Sequence, residues 1–320
     1  MLKGGRSLER QVSLRSGARV QDALERLGHD VAGIDVGAGL VGRLRDIGPD
    51  VCFVALHGRD GEDGTVQELL DILGMAYTGS GVAACVRCAD KVLAKHAMGE
   101  AGVPTPEFYA FNETAFRELG AGSALGEIAG RLAFPIVVKP ASQGSALGIK
   151  FARSAGDVPG ALMAAFSYDA KVLLERYIPG RDLAVSVLEG PDGPVALPVV
   201  EAQPHGDAFY DFESRYEIGR TAFVCPAEVG AAVTERAQAI ALEVFALFGC
   251  RGFARVDLML EQATGTGAPA DDAPLLVLEA NPIPGLTETS LLPQAAEAAG
   301  IGFDELIGRI VGRAHAVTHA

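Results

Sequence analysis

The sequence predicts an α/β protein, with a first third folded as an open, doubly wound parallel sheet and the remainder built as two α+β lobes. Three observations lead there. Short Val- and Ile-bearing runs alternate with amphipathic helical patterns as far as residue 89, the sign of strand–helix–strand units. Beyond residue 90 the strand-like runs crowd together, with single helices between them. Forty glycines and 17 prolines in 320 residues mark many tight turns, which a helical bundle does not need.

Taken in order, SLRSGARVQDALERLG is amphipathic, with Val20, Ala23, Leu24 and Leu27 at helical spacing. HDVAGIDV and DVCFVAL suit parallel strands. TVQELLDILG reads as a helix ended by Gly74, and MAYTGSG returns as a strand and a turn. ADKVLAKHAMGEAG is a helix closed by VPTP. FPIVVKP, GIKFARS and KVLLERYI follow as strands, the last two separated by the helix DVPGALMAAFSY. LAVSVLE, VALPVVEAQ, the long helix VTERAQAIALEVFALFG, RVDLML and LLVLEA complete the series, and the polar turn EQATGTGAPADDAP joins the final pair. The expected divisions are 1–89 for the N-terminal α/β domain, 90–179 for a central lobe and 180–320 for a C-terminal lobe.

Charge excludes one class of partner. With 27 basic residues against 41 acidic ones, the net charge of −14 repels a nucleic-acid backbone. A bound phosphate must therefore be held locally, by a few placed cations, backbone amides or metal ions. No apolar run approaches the ~18 residues of a membrane span, and MLKGGRSLERQVS has no apolar core of a signal peptide. The five cysteines are odd in number and scattered, and the Cys85–Cys88 pair lies in a helical pattern, so reduced thiols and a cytoplasmic protein are expected.

The chemistry concentrates near the C-terminus, where LLVLEANPIPG carries Glu279 and Asn281 out of an apolar run. RVDLML and LLVLEAN form a hairpin in the simplest pairing. Side chains alternate along a strand, so Arg255 and Asp257 share a face, as do Glu279 and Asn281. If the strands pair with both sets on the same face, two carboxylates and one carboxamide offer the hard oxygens that suit Mg²⁺, beside a guanidinium. Buried and unpartnered, those acids would each cost several kcal/mol.

Other segments leave two readings open. In FPIVVKPASQGSALGIKF, Lys139 ends a strand before a loop with Gly144, Ser145 and Gly148, which closes over phosphates or is a plain hairpin. In KVLLERYIPGRDL, Glu175, Ile178 and Asp182 suit a nucleoside or an ordinary interdomain linker. His57, after VCFVAL, lies at the carboxyl end of a strand, where ligands bind, or is a satisfied loop histidine. Glu9 is an ammonium binder or a first-turn acid favoured by the helix dipole.

Eight segments, in order, resemble the D-alanine–D-alanine ligases of the ATP-grasp superfamily: GGRSLERQVSLRSG, HGRDGEDGTVQELL, YTGSG with DK at 90–91, VVKPASQGSALGI, LLERYIPGRDL, FYDFESRY, GFARVDLML and LEANPIPGLTETSLLP. The resemblance implies two lobes clamping ATP and a ligation of two D-alanines for peptidoglycan synthesis. It implies Lys91, Lys139 and Gly144 at the phosphates, Glu175 and Ile178 at adenine and Asp182 at ribose. Asp257, Glu279 and Asn281 would hold two Mg²⁺ or Mn²⁺ ions. Glu9 would pair with the ammonium of the first D-alanine, near His57. Arg255 and the Gly285 amide would form an oxyanion site, and Ser290 and Leu291 would bind the second D-alanine. Residues 203–222 resemble a mobile loop in which Tyr216 bonds Ser145, and Ser145 bonds Glu9. A homodimer follows from the same resemblance. The implied chemistry is attack of one D-alanine carboxylate on the γ-phosphate, then attack of a second amine on the acyl phosphate.

Three departures stand out. Only Met1, Leu2 and Lys3 precede the GG pair where the family has a full strand; a start placed too late would leave the first domain without its central strand. Arg215 stands where a lysine is usual, and Gln143 and Ala146 alter the glycine loop. Two further readings remain: a ligase joining D-alanine to D-lactate, D-serine or another partner, and a nucleotide-binding protein without catalysis.

Overall fold

The computed structural model describes residues 1–204, 221–262 and 271–314. At its N-terminus β1 (Leu2–Lys3) pairs in parallel with β2 (Ile34–Asp35). Leu2 also bridges Val54, and Cys52 bridges Tyr77, both in parallel, so four extended segments lie side by side. The central strand is present, though only two residues long. Leu2 donates to Phe53 and accepts from Ala55, while the Lys3 carbonyl accepts from Val36. Two residues suffice to satisfy the ladder, and Leu2 is fully buried in its middle.

Around this sheet lie α1 (Arg10–Arg26), α2 (Leu40–Ile47) and α3 (Thr65–Ile72). Phe53 and Ala55 pack with Val20, Ala23 and Leu24 of α1. Their neighbours Cys52, Val54 and Leu56 pack with Leu40, Leu44, Val66 and Leu70 of α2 and α3. Both faces are covered, which explains the unbroken apolar run VCFVAL. The helix α2, from LVGRLRDI, escaped the sequence reading because only Leu40 and Leu44 are buried in its two turns.

Next, α4 (Val82–Ala89) and α5 (Lys91–Ala101) meet at Asp90, whose carboxylate caps α5 by accepting from the Val92 and Leu93 amides. Cys85 and Cys88 are buried free thiols on α4. Then come β3 (Phe108–Asn112), α6 (Glu113–Arg117), α7 (Leu125–Leu132), β4 (Ile136–Pro140), β5 (Lys150–Ala152), α8 (Val158–Phe166) and β6 (Lys171–Arg176). These strands form an antiparallel sheet in the order β3-β6-β4-β5. One face packs Ile136, Val138, Val172 and Leu174 against α7 and α8, giving this lobe its own core. Alternation leaves Lys139 and Glu175 on the opposite face.

The remaining elements are β7 (Gly180–Gly190), β8 (Gly193–Ala196), β9 (Val200–Pro204), β10 (Thr221–Val224), α9 (Ala231–Phe248), β11 (Phe253–Glu261), β12 (Leu275–Asn281), α10 (Leu291–Ala298) and α11 (Phe303–Val311). Their sheet runs β10-β9-β7-β11-β12, with β8 also on β7. VALPVVEAQ, expected as one strand, is split into β8 and β9. Pro198 has no N–H for a ladder, and the two halves pair with different stretches of β7. Under this sheet Val244 and Phe248 of α9 meet Val256, Leu258 and Val277, and Ala84, Cys88, Ala94 and Met98 of α4 and α5 join the same core. On its other side Phe253, Leu286 and Leu292 share a core with α1. The N-terminal sheet and the large sheet are thus welded together, while the four-stranded lobe stands on its own core.

Candidate active site

The site begins with the register of β11 and β12. They are antiparallel, with Asp257 opposite Glu279 and Arg255 opposite Asn281. The four side chains therefore share one sheet face. A bulge follows Asp257, where the ladder shifts before Leu258. Arg255 grips Asp257 with two hydrogen bonds, Nε to Oδ1 at 2.6 Å and a terminal nitrogen to Oδ2 at 2.8 Å. Lys91, the first residue of α5, lies 3.1 Å from Glu279 Oε2. Asn281 Oδ1 accepts from the Ile283 amide at 3.0 Å, which orients the carboxamide.

This face lies between two contiguous clefts. The first runs between the four-stranded sheet and the large sheet, over Val137, Ile178, Met259 and Leu278, with Lys139, Glu175 and Asp182 around it. The second opens toward the N-terminal domain and is lined by Glu9, Gly144, Ser145, Arg255, Gly285 and Ser290. Lys91, Gln143, Glu279 and Leu291 line both, so a group in one cleft can reach a group in the other. An apolar slot ending in lysines suits a nucleotide, and the polar cleft suits a small zwitterion.

The glycine loop after β4 ties the pieces together. Lys91 Nζ donates to the Gln143 carbonyl at 2.8 Å, and the Ser145 hydroxyl makes a very short hydrogen bond to Glu9 Oε1. Ser145 and Ala146 both take left-handed backbone (φ 52° and 58°), a strained pair for non-glycine residues. Glu9 is 4% exposed. Burial first, and then the charge of Glu62, lift its carboxyl to about 7, against the opposing pull of Ser145, His57 and Lys91. Gly58 leaves the room: a Cβ there would fall 2.4 Å from Glu9 Oε2.

His57 does not line either cleft. It is 3% exposed, its Nε2 3.0 Å from Ser16 Oγ and its Nδ1 3.3 Å from Glu62 Oε1. The satisfied loop histidine, one of its two readings, describes its surroundings. Ser290 immediately precedes α10 as its N-cap residue, and its hydroxyl accepts from the Thr287 amide at 3.0 Å. Tyr216 and Arg215 lie outside the described residues.

Sequence reasoning missed Lys95. It is fully buried one helical turn after Lys91, 2.5 Å from Glu175 Oε2, while Lys139 lies 2.6 Å from Glu175 Oε1. The four-residue spacing from Lys91 was the available signal.

The donor set fits a hard divalent ion. Among the described residues no three His, Cys, Asp or Glu side chains gather as a cage. An ion here would rest on the Asp257 and Glu279 carboxylates and Asn281 Oδ1, with water or ligand oxygens completing the shell, which is how Mg²⁺ is commonly held.

Comparison with known proteins gives one consistent family. The family profile described as "D-ala D-ala ligase C-terminus" matches residues 97–312, and "D-ala D-ala ligase N-terminus" matches residues 42–80. The D-alanine–D-alanine ligase of Moorella thermoacetica is 40% identical over 311 residues, covering 97% of each chain. That of Syntrophotalea carbinolica is 42% identical over 315 residues, covering 98% of this chain and 95% of its own. The crystal structure of the D-alanine–D-alanine ligase from Bacillus anthracis, solved also in complex with ATP, is 30% identical with a TM-score of 0.79, covering 98% of this chain and 95% of that one.

Proposed function

Since the chain belongs to the D-alanine–D-alanine ligase family, we propose that the two clefts described above divide ATP and D-alanine between them. The chain is an ATP-dependent ligase that makes D-alanyl-D-alanine, a peptidoglycan precursor. The contiguity of the clefts at Lys91, Gln143 and Glu279 is the observation that carries the assignment.

Adenine lies in the apolar slot beside Ile178 and Glu175, Asp182 takes the ribose hydroxyls, and Lys91, Lys139 and the Gly144 loop hold the phosphates. Asp257, Glu279 and Asn281 hold Mg²⁺ or Mn²⁺, which when bound neutralises charge on the β- and γ-phosphates. Glu9 takes the ammonium of the first D-alanine, and His57, close by, favours its ionised form. The carboxylate of that D-alanine attacks the γ-phosphorus, the bond to ADP breaks, and an acyl phosphate forms. Ser290 and the start of α10 at Leu291 hold the second D-alanine by its carboxylate. Its amine attacks the acyl carbon, Arg255 and the Gly285 amide receive the developing oxyanion, and phosphate leaves with the C–O bond electrons. Most of the rate comes from placement. Tyr216 and Arg215 belong to the proposed closing loop. The three-part division at 89/90 and 179/180, a homodimer and a cytoplasmic location complete the reading; among the described residues no helix is long and apolar enough to cross a membrane.

The test is phosphate release with ATP, Mg²⁺ and D-alanine alone, with D-alanyl-D-alanine identified by mass. Release only when D-lactate or D-serine is added would replace the second substrate, and nucleotide binding without release would refute the ligase.

Glu9 sets a pH dependence. Its carboxyl titrates at about 7 in the folded chain against 4.5 ordinarily. The folded state therefore holds this proton more tightly, and the resulting contribution to stability, complete below pH 4.5, is lost as pH rises through 7. Ammonium binding needs the ionised form, so the sign is reversed for function. The kcat/KM for the first D-alanine is expected to fall about tenfold per unit below pH 7. Glu9→Gln removes that limb; a limb that survives the substitution belongs to another group.

A further inference from the structure

Glu175 is a buried carboxylate between two ammonium groups. Lys139 holds Oε1 at 2.6 Å from the cleft side, and Lys95 holds Oε2 at 2.5 Å from behind. Lys139 and Glu175 line the nucleotide cleft, and Lys95 does not. Two positive charges against one negative leave the cluster at +1. Lys95 is also fixed in place: its Nζ donates to Thr105 Oγ1 at 2.6 Å, and Thr105 donates to the Val277 carbonyl at 2.8 Å. Val277 lies on β12, two residues before Glu279, and its amide donates to the Pro104 carbonyl at 2.8 Å. Burial draws the Lys95 ammonium down to about 8, Glu175 holds the proton on, and the group stays charged at neutral pH.

An anionic phosphate entering this cleft competes with Glu175 for Lys139. Turning Lys139 toward ATP would strand a buried carboxylate unless a second cation remains behind it. We infer that Lys95 is a positioning residue for ATP, the resident counter-ion of Glu175 that frees Lys139 for the phosphates. The inference rests on the nucleotide reading of the first cleft. Without Lys95 the cluster is a neutral, self-satisfied pair, and Lys139 is a poor phosphate ligand. Through Thr105 the same lysine also pins the four-stranded lobe to the strand that bears Glu279, so the nucleotide's two contact surfaces keep their spacing.

The test is steady-state kinetics of the full chain with ATP varied at saturating D-alanine. Lys95→Met is expected to raise the KM for ATP roughly tenfold or more, with kcat and the D-alanine KM changed less than about threefold. Lys95→Arg, which restores the charge, is expected to return most of the loss. Thr105→Val, of similar shape, raises the ATP KM in the same direction by a smaller factor. A folded Lys95→Met protein with wild-type ATP KM overturns the inference, as does one in which kcat and both KM values worsen together. If Lys95→Met does not fold, Thr105→Val decides: an unchanged ATP KM overturns the role. Absence of D-alanine-dependent turnover in the wild type would refute the ligase reading instead. Calorimetric ADP binding to wild type and Lys95→Met then decides Lys95 alone, with weaker binding supporting the role and equal binding overturning it.

Discussion

Asp257→Asn is expected to cut ligase turnover by about three orders of magnitude while the fold persists. A bound divalent ion is worth several kcal/mol of charge stabilisation on a reacting phosphoryl group, and each ~1.4 kcal/mol is a decade in rate. The choice of asparagine matters. Asp257 is 8% exposed and accepts two hydrogen bonds from the equally buried Arg255. Alanine would take both acceptors from a buried guanidinium, which costs about 3–5 kcal/mol of folding free energy. Asparagine keeps the volume and one acceptor oxygen, so the loss reports chemistry rather than unfolding. Turnover measured across a Mg²⁺ titration, alongside thermal melting, checks this. Near-normal rates in saturating Mg²⁺ would remove Asp257 from the proposed metal site.

Arg255→Met is the second large effect. The guanidinium holds Asp257 and lines the second cleft; a divalent ion taking that carboxylate would release it toward that cleft. Removing one donor from a developing oxyanion costs about 10²–10³ in kcat. The ATP KM is expected to hold, because the ground-state nucleotide does not use this donor. Arg255→Lys is not expected to rescue, since an ammonium cannot reproduce a two-pronged planar donor. Equal losses in kcat and in ATP affinity would move Arg255 from the oxyanion to the nucleotide.

Much of this site could be read from the chain because it interrupts a strong pattern. Asp257 amid VDLML and Glu279 after LLVL are charges in runs that otherwise demand burial, and strand alternation alone puts each on a face with its neighbour two residues away. Only the register, with Asp257 opposite Glu279, had to come from the structure. Other features depend on contacts between distant segments, which local pattern does not carry. Lys95 reads as an ordinary helical lysine until the fold places Glu175 against it. His57 sits where ligands often bind, yet Ser16, 41 residues away, and Glu62 of its own loop take both of its ring nitrogens. The two-residue strand at Leu2–Lys3 is too short for any periodicity, and its place is set by hydrogen bonds to Phe53, Ala55 and Val36. The helices α4 and α5 offered another surprise. Their apolar residues Ala84, Cys88, Ala94 and Met98 help complete the core under the large sheet, far along the chain from them.

The most direct test of the whole account is anomalous diffraction from crystals of the full chain grown with ADP and Mn²⁺. Manganese peaks are expected within direct coordination distance of oxygens of Asp257, Glu279 and Asn281, with Arg255 turned away from Asp257. Manganese bound elsewhere, with Arg255 still closed on Asp257 beside an occupied nucleotide cleft, would contradict it.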